Sequence, residues 1–173
     1  MDENRGVWKP PAGNEATLRG IVALDYSLTA QESDVLNRQG VNALRHFPGI
    51  GAVCWGARTL SSDPEWKYVS VRRLALFLED SIDEGLQWTV FERNNELLWA
   101  NVRRTVEDFL FELWKAGALM GIKPEEAFFV KCDRSTMTQN DLDNGRLICL
   151  VGFAPLKPAE FVIVRIARTT AES

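Results

Sequence analysis

Apolar residues recur at three- and four-residue spacing in two long stretches, and each predicts a helix. Over 68–86, Val71, Leu74, Leu78 and Ile82 form one stripe, while Glu79, Asp80, Asp83 and Glu84 lie largely on other faces. Gly85 suits a C-terminal stop. Over about 96–116, Trp99, Val102, Val106, Phe109 and Leu113 form the stripe. Phe111 and Trp114 widen its apolar arc, so cover on more than one side is expected. Asn94 and Asn95 precede this helix as caps, and Gly117 and Gly121 end it. A shorter helix is expected at 29–37, where Thr29 and Glu32 have capping-box spacing, with a stop near Gly40.

Other stretches carry strand patterns. Residues 41–47 and 51–60 flank the turn sequence Pro48–Gly49–Ile50–Gly51, which predicts a hairpin or sharp loop. Residues 18–24, 87–92 and 125–132 are shorter β-prone runs. Residues 61–65 and 133–144 read as loops, the latter with one helical turn at 140–144. Two apolar strands close the pattern, at 146–153 and 160–166. Between them, Pro155 and Pro158 remove two backbone donors, so neither strand continues through the connector.

A run that is apolar on both faces requires cover on both. The second closing strand therefore either tucks into its own sheet or is offered to another molecule by strand addition. Residues 1–15, with Pro10, Pro11, Gly6 and Gly13, read as an extended arm. Trp8 in that arm is expected to dock on the domain or a neighbour. The expectation is an α+β fold, with two long helices packed on one mixed sheet, a flexible N-terminal arm and an available C-terminal strand. The arm spans 1–17, the core 18–159 and the terminal strand and tail 160–173.

Composition narrows the function. The chain has 173 residues and 46% hydrophobic content, enough for one core. Its net charge of −4 and pI near 5.1 argue against a general nucleic-acid or anionic-membrane surface. No apolar stretch reaches the length of a membrane-spanning helix, and the polar N-terminus has no signal-peptide pattern. Cys54, Cys132 and Cys149 are far apart among apolar neighbours, which predicts buried free thiols in a reducing compartment. Six tryptophans imply a large core, a large interface, or both.

Catalytic signals are thin. His46 is the single histidine, with no nucleophile beside it in sequence, and it reads as structural. No ligand spacing supports a zinc site, and no cofactor is expected. Gly49–Ile50–Gly51 lacks the lysine and third glycine of a phosphate loop and reads as a turn. The acidic run on the first long helix reads as a solvated face. Cys132 beside Asp133 defines an alternative, a small cytosolic enzyme, although no base is visible nearby. A further alternative is an adaptor that binds a peptide strand without polymerising. Arg72 and Arg73 near one helix start, and Arg103 and Arg104 within the other helix, are either solvated or face a neighbour that supplies carboxylates.

Four segments carry a resemblance: GVWKPPAGNE (6–15), FPGIGAVCWGARTLSSDPEWKYVSVRR (47–73), EEAFFVKCD (125–133) and GRLICLVGFAPLKPAEFVIVRI (145–166). Together they resemble the C-terminal part of contractile tail sheath proteins of bacteriophages, R-type pyocins and bacterial contractile injection systems. The resemblance implies an α+β unit next to an inner tube that catalyses nothing and connects subunits by exchanged strands. It casts Phe161, Val162, Ile163, Val164, Arg165 and Ile166 as the inter-subunit linking strand, with Trp8 docking nearby. Arg72, Arg73, Arg103 and Arg104 become candidates to face the tube. The implied partners are other sheath copies, the inner tail tube protein, and baseplate or tail terminator proteins. The implied location is the bacterial cytoplasm during assembly, then a virion tail or injection particle. Full sheath proteins are considerably longer than this chain, with variable outer domains before this region.

Overall fold

A computed structural model describes residues 5–160 as a mixed α/β fold with two small antiparallel sheets. In chain order its principal elements are α1 (Ala30–Arg38), β1 (Ala43–Phe47), β2 (Gly51–Trp55), α2 (Val69–Gly85) and α3 (Glu96–Lys115). They are followed by α4 (Pro124–Ala127), β3 (Phe128–Lys131), α5 (Gln139–Asp143) and β4 (Leu150–Phe153). Single 3₁₀ turns lie at Pro64–Trp66 and Gln87–Thr89.

The helices form where the apolar spacing places them, and side-chain caps set several of their starts. Thr29 accepts from the Glu32 amide, and Glu32 reaches back to the Thr29 amide, closing a capping box at α1. Asn95 caps α3 by accepting from Leu98 N at 3.0 Å. A second capping box, Thr138 with Asp141, starts α5. Asn94 has a different task from capping. Its Oδ1 accepts from Trp99 Nε1 at 2.6 Å, and its Nδ2 donates to Arg146 O at 3.0 Å, tying α3 to the segment before β4.

Two apolar clusters hold the fold. In the larger, Leu74 and Leu78 of α2 meet Val106, Leu110 and Leu113 of α3, with Ala118, Leu119 and Ala127 closing the layer. Phe128, Val130, Val151 and Phe153 pack on it from the β3–β4 pair. In the smaller, Leu98, Trp99 and Val102 surround Cys132 and Met137, with Leu147, Ile148 and Cys149 against them. Leu110 is completely buried although it falls outside the five-residue stripe read from spacing.

The single mixed sheet is corrected to two separate two-stranded sheets. β1 and β2 pair from Ala43↔Trp55 to Phe47↔Gly51, and β3 and β4 pair from Phe128↔Phe153 to Lys131↔Leu150. Other strand expectations shorten for the same reason: β-propensity needs a partner edge. Residues 18–24 form no strand, because after Leu18 bonds Ala52 the chain turns away at Gly20, which has φ +78°. Residues 87–92 form a 3₁₀ turn and loop. Residues 124–127 make one helical turn started by Pro124 before β3 begins. Residues 146–149 run unpaired into β4, with Ile148 O accepting from Thr136 Oγ1 at 2.8 Å.

Candidate functional site

The linking strand expected at Phe161, Val162, Ile163, Val164, Arg165 and Ile166 lies outside the described residues. The structure does describe the segment leading into it. After β4, Ala154 N donates to Ala127 O and Ala154 O accepts from Met120 N, each at 2.8 Å. A bridge joins Leu119 to Pro155. The prolines then carry the chain across the face to Glu160.

Glu160 is held by three groups that no local pattern connects. Arg58 grips its carboxylate as a fork, Nη2 to Oε2 at 2.6 Å and Nε to Oε1 at 2.9 Å. Tyr68 donates its hydroxyl at 3.1 Å and Asn37 its amide at 3.3 Å. The side chains of Arg58 and Glu160 are only 10% and 14% exposed. Arg58 is itself positioned: its Nη1 donates to Asn37 O at 3.0 Å, and Asn42 bonds both its backbone N–H and its carbonyl at 2.8 Å. The Arg58 fork lowers the Glu160 carboxyl below the usual carboxylate range, with Asn37 and Tyr68 adding to it against burial. Reciprocally, the bond from Glu160 raises the Arg58 pKa.

The other end of the described chain arrives at the same hairpin. Gly13 N donates to Cys54 O at 2.9 Å, Cys54 N to Ala16 O at 3.1 Å, and Leu18 N to Ala52 O at 2.9 Å. Residues 13–18 thus occupy the outer edge of β2. Across β1, no strand among the described residues pairs with the opposite edge. A cleft of about 440 Å³ lies between arm, α1, the end of β2 and the connector, lined by Pro10, Asn37, Trp55, Pro158 and Glu160 among others. On the hairpin surface, Arg45 lies over the rings of Phe47 (5.0 Å) and Trp55 (5.8 Å).

Trp8 is half-buried and packs, with Val7, against the larger core cluster. From Arg5 on, the described part of the arm lies on the domain. The four arginines are engaged separately. Arg72 sits over the Trp66 ring at 5.1 Å, at the start of α2. Arg73, its neighbour, is half-buried. Arg103 and Arg104 lie in α3 and reach Glu107 and Asp108 one turn on, at 4.0 and 3.9 Å. Such exposed pairs contribute little to stability.

Cys132 is not a poised nucleophile. It is buried, and burial, reinforced by Cys149, pushes its thiol up to about 12. Asp133 is occupied by Ser135, whose N–H bonds it at 2.7 Å and which lowers its pKa. Among the described residues, no group of three or more His, Cys, Asp or Glu comes together as a metal site.

Sequence reasoning missed the clamp. Its one visible trace was a charged residue, Arg58, inside an otherwise apolar and small-residue run.

Residues 61–169 match the family described as the phage tail sheath C-terminal domain. The chain is 23% identical over 174 residues to the tail sheath protein of Vibrio phage KVP40, covering 99% of this chain and 25% of that protein. It matches a chain of the anti-feeding prophage baseplate at TM-score 0.90 and 40% identity, covering 98% of this chain and 47% of that one. It likewise matches a chain of the contracted PVC sheath complex, an extracellular contractile injection system, at TM-score 0.90 and 38% identity, covering 97% and 48%. The chain thus spans a quarter of the curated relative and just under half of these solved chains.

Proposed function

This chain belongs to the phage tail sheath C-terminal domain family, and from that premise we propose that it is a structural assembly domain of a contractile sheath. It polymerises with other copies around an inner tube and keeps subunits connected while the lattice changes from extended to contracted. Phe161 to Ile166 supply a strand to a neighbouring subunit, and backbone hydrogen bonds make that link. Such a link tolerates rotation of near-rigid subunits, as conversion between two packings requires. The domain does this work without catalysis or a cofactor.

The observation that carries the reading is the clamp on Glu160. A buried fork of charge fixes the residue immediately before the proposed linking strand, so tension on that strand is transmitted into Arg58 and thence to α1 and the hairpin. The opposite end of the described chain is paired to β2 of the same hairpin, and β1 has an edge without a partner strand among the described residues. An incoming strand from a neighbour has a place to pair there.

Further partners follow from the relatives. Solved baseplate and sheath assemblies contain chains of this fold, so other copies and baseplate proteins are the proposed contacts, together with the inner tube and a tail terminator. Arg72, Arg73, Arg103 and Arg104 remain the proposed tube-facing charges. The proposed course is assembly in the bacterial cytoplasm, followed by residence in a tail or injection particle.

The test is a deletion of residues 161–173 in a sheath-forming chain, followed by sedimentation and negative-stain microscopy. A folded subunit that no longer forms sheaths is expected. Normal sheaths from the truncated chain would sink the reading.

A further inference from the structure

The loop between α2 and α3 presents apolar surface that the fold leaves unused. Trp88, Val90 and Phe91 of the loop and Leu97 in the first turn of α3 are exposed, and Phe91 is fully so. Phe91 has φ +69°, and among the described residues it is the only non-glycine with positive φ. That conformation is sterically costly for a bulky side chain. Here it holds an aromatic ring in water and returns no packing to the domain. Two residues on, Arg93 is exposed and has no ion-pair partner among the described residues.

A complementary surface lies on the same chain. It sits about 21 Å further along α3, taking the rise per residue from Leu97 to Phe111. There a groove of about 430 Å³ is walled by Phe111, Pro124, Phe128, Phe129 and Val130. Phe129 is 60% exposed, so the groove opens to solvent along an aromatic wall. Its rim is acidic, formed by Glu107, Asp108 and Glu125. The first two have only long pairs with Arg103 and Arg104, and Glu125 has none among the described residues. An apolar aromatic trough with an acidic rim matches a projecting aromatic with an arginine two residues on, the exposed Glu92 standing between them.

We propose that the loop of one copy inserts Phe91 into the groove between Phe111 and Phe129 of a second copy, with Arg93 against the Glu107–Glu125 rim. The inference rests on the sheath reading. With one loop seated per pair of copies the contact is heterologous, whereas seating both loops reciprocally would close a two-fold pair. Repetition of such a contact produces rings or helical arrays instead of closed pairs, as a sheath requires.

The test uses sheaths assembled from chains that carry this domain, with a benzophenone amino acid in place of Phe91. Illumination is expected to join two sheath copies, with the cross-linked peptide inside 107–130. Phe91→Gly removes the ring and relieves the backbone, so the subunit stays folded, and pelletable assembly is expected to fall about tenfold or more. Arg93→Glu is expected to weaken assembly about two- to fivefold, with Glu125→Lys restoring it. Intact sheaths with no cross-link, or with cross-links to the tube or to another segment, overturn the contact and leave the sheath reading standing. Wild-type assembly by Phe91→Gly does the same. Failure of the unaltered chain to form sheaths under any condition overturns both.

Discussion

Arg58 and Glu160 are separated by 102 residues, yet their side chains meet as a fork with contacts of 2.6, 2.9 and 3.2 Å. Asn37 and Tyr68 complete the carboxylate's shell. The geometry depends on a planar guanidinium, which bonds the carboxylate and Asn37 O together. Lysine is a point charge and reproduces one of these contacts at a time. Arg58→Lys is therefore expected to lower unfolding free energy by about 1.5–3 kcal/mol, the scale for hydrogen bonds to a charged group. Glu160→Gln keeps the shape, removes the counter-charge and leaves Arg58 uncompensated, with a similar or larger loss. Urea titration measures both, and amide exchange at 156–160 should rise first. Unchanged exchange there would show that the clamp does not restrain the connector.

The same pair gives the chain an acid sensitivity with a defined sign. The Glu160 pKa is lower folded than unfolded, so its contribution is fully present above the ordinary carboxylate pKa of about 4.3. It is lost as pH falls through the depressed folded value. Glu32 and Asp141, whose pKa values are lowered by Thr29 and Thr138, act in the same direction. Urea midpoints are expected to fall between about pH 5 and pH 3. Glu160→Gln should lie below the wild type at pH 7 and converge on it in acid. Parallel curves across the range would remove Glu160 from the account.

The helices were legible because their packing is written locally. Val71, Leu74 and Leu78 recur at the spacing of one helix face, and Thr29 with Glu32 announces a capping box by sequence distance alone. Strand extents were not legible in the same way. Residues 18–24 and 146–149 are as β-prone as β2, but pairing depends on which edge is free after folding. Gly20 takes the first away from the hairpin, and Thr136 and the Trp99 cluster occupy the second. The clamp was hidden for a related reason. Asn37, Arg58, Tyr68 and Glu160 come from four segments and share no spacing, so only the fold brings them together. The apolar run beyond Glu160 was read in sequence as a strand that needs a partner, and it lies outside the described residues.

Adjacent positions in α3 have opposite environments. Leu110 is fully buried between α2 and α3, whereas Phe111 is 38% exposed at the groove. Leu110→Ala deletes buried methyls and leaves a cavity, so a loss of about 2–5 kcal/mol is expected. Phe111→Ala removes a larger side chain and is expected to cost less than about 1.5 kcal/mol, including its contact with Trp114 at 5.6 Å between centroids. Thermal or urea unfolding of the two variants side by side decides it. A larger effect at Phe111 would mean that the ring belongs to the core.

Gly152 is opposite Phe129 in the β3–β4 ladder, and the Phe129 ring lies where a Cβ at Gly152 would stand. The glycine lets an aromatic ring cover the backbone of its cross-strand neighbour. Gly152→Ala is expected to displace that ring, and because Phe129 is 60% exposed and can swing outward, the loss of stability should stay below about 1 kcal/mol. Phe129→Ala in the same chain should recover part of the loss, because the obstacle is gone. Additive losses in the double variant would show that the two residues do not contend for one space.

Cys132 provides a chemical check on the proposal that the domain works without catalysis. Its thiol, pushed up to about 12 chiefly by burial, carries almost no thiolate at neutral pH, and the side chain is enclosed by Trp99, Val102 and Met137. Cys149 is also shifted upward by burial. Labelling of Cys132 by a maleimide at pH 7 is expected to be slow and limited by opening of the smaller core cluster. It should accelerate in step with urea unfolding. Cys132→Ser would place a hydroxyl in that cluster and is expected to destabilise the fold by about 1–3 kcal/mol. Rapid labelling of folded protein, at a rate independent of urea below the transition, would instead mark Cys132 as accessible and return the enzyme alternative to consideration.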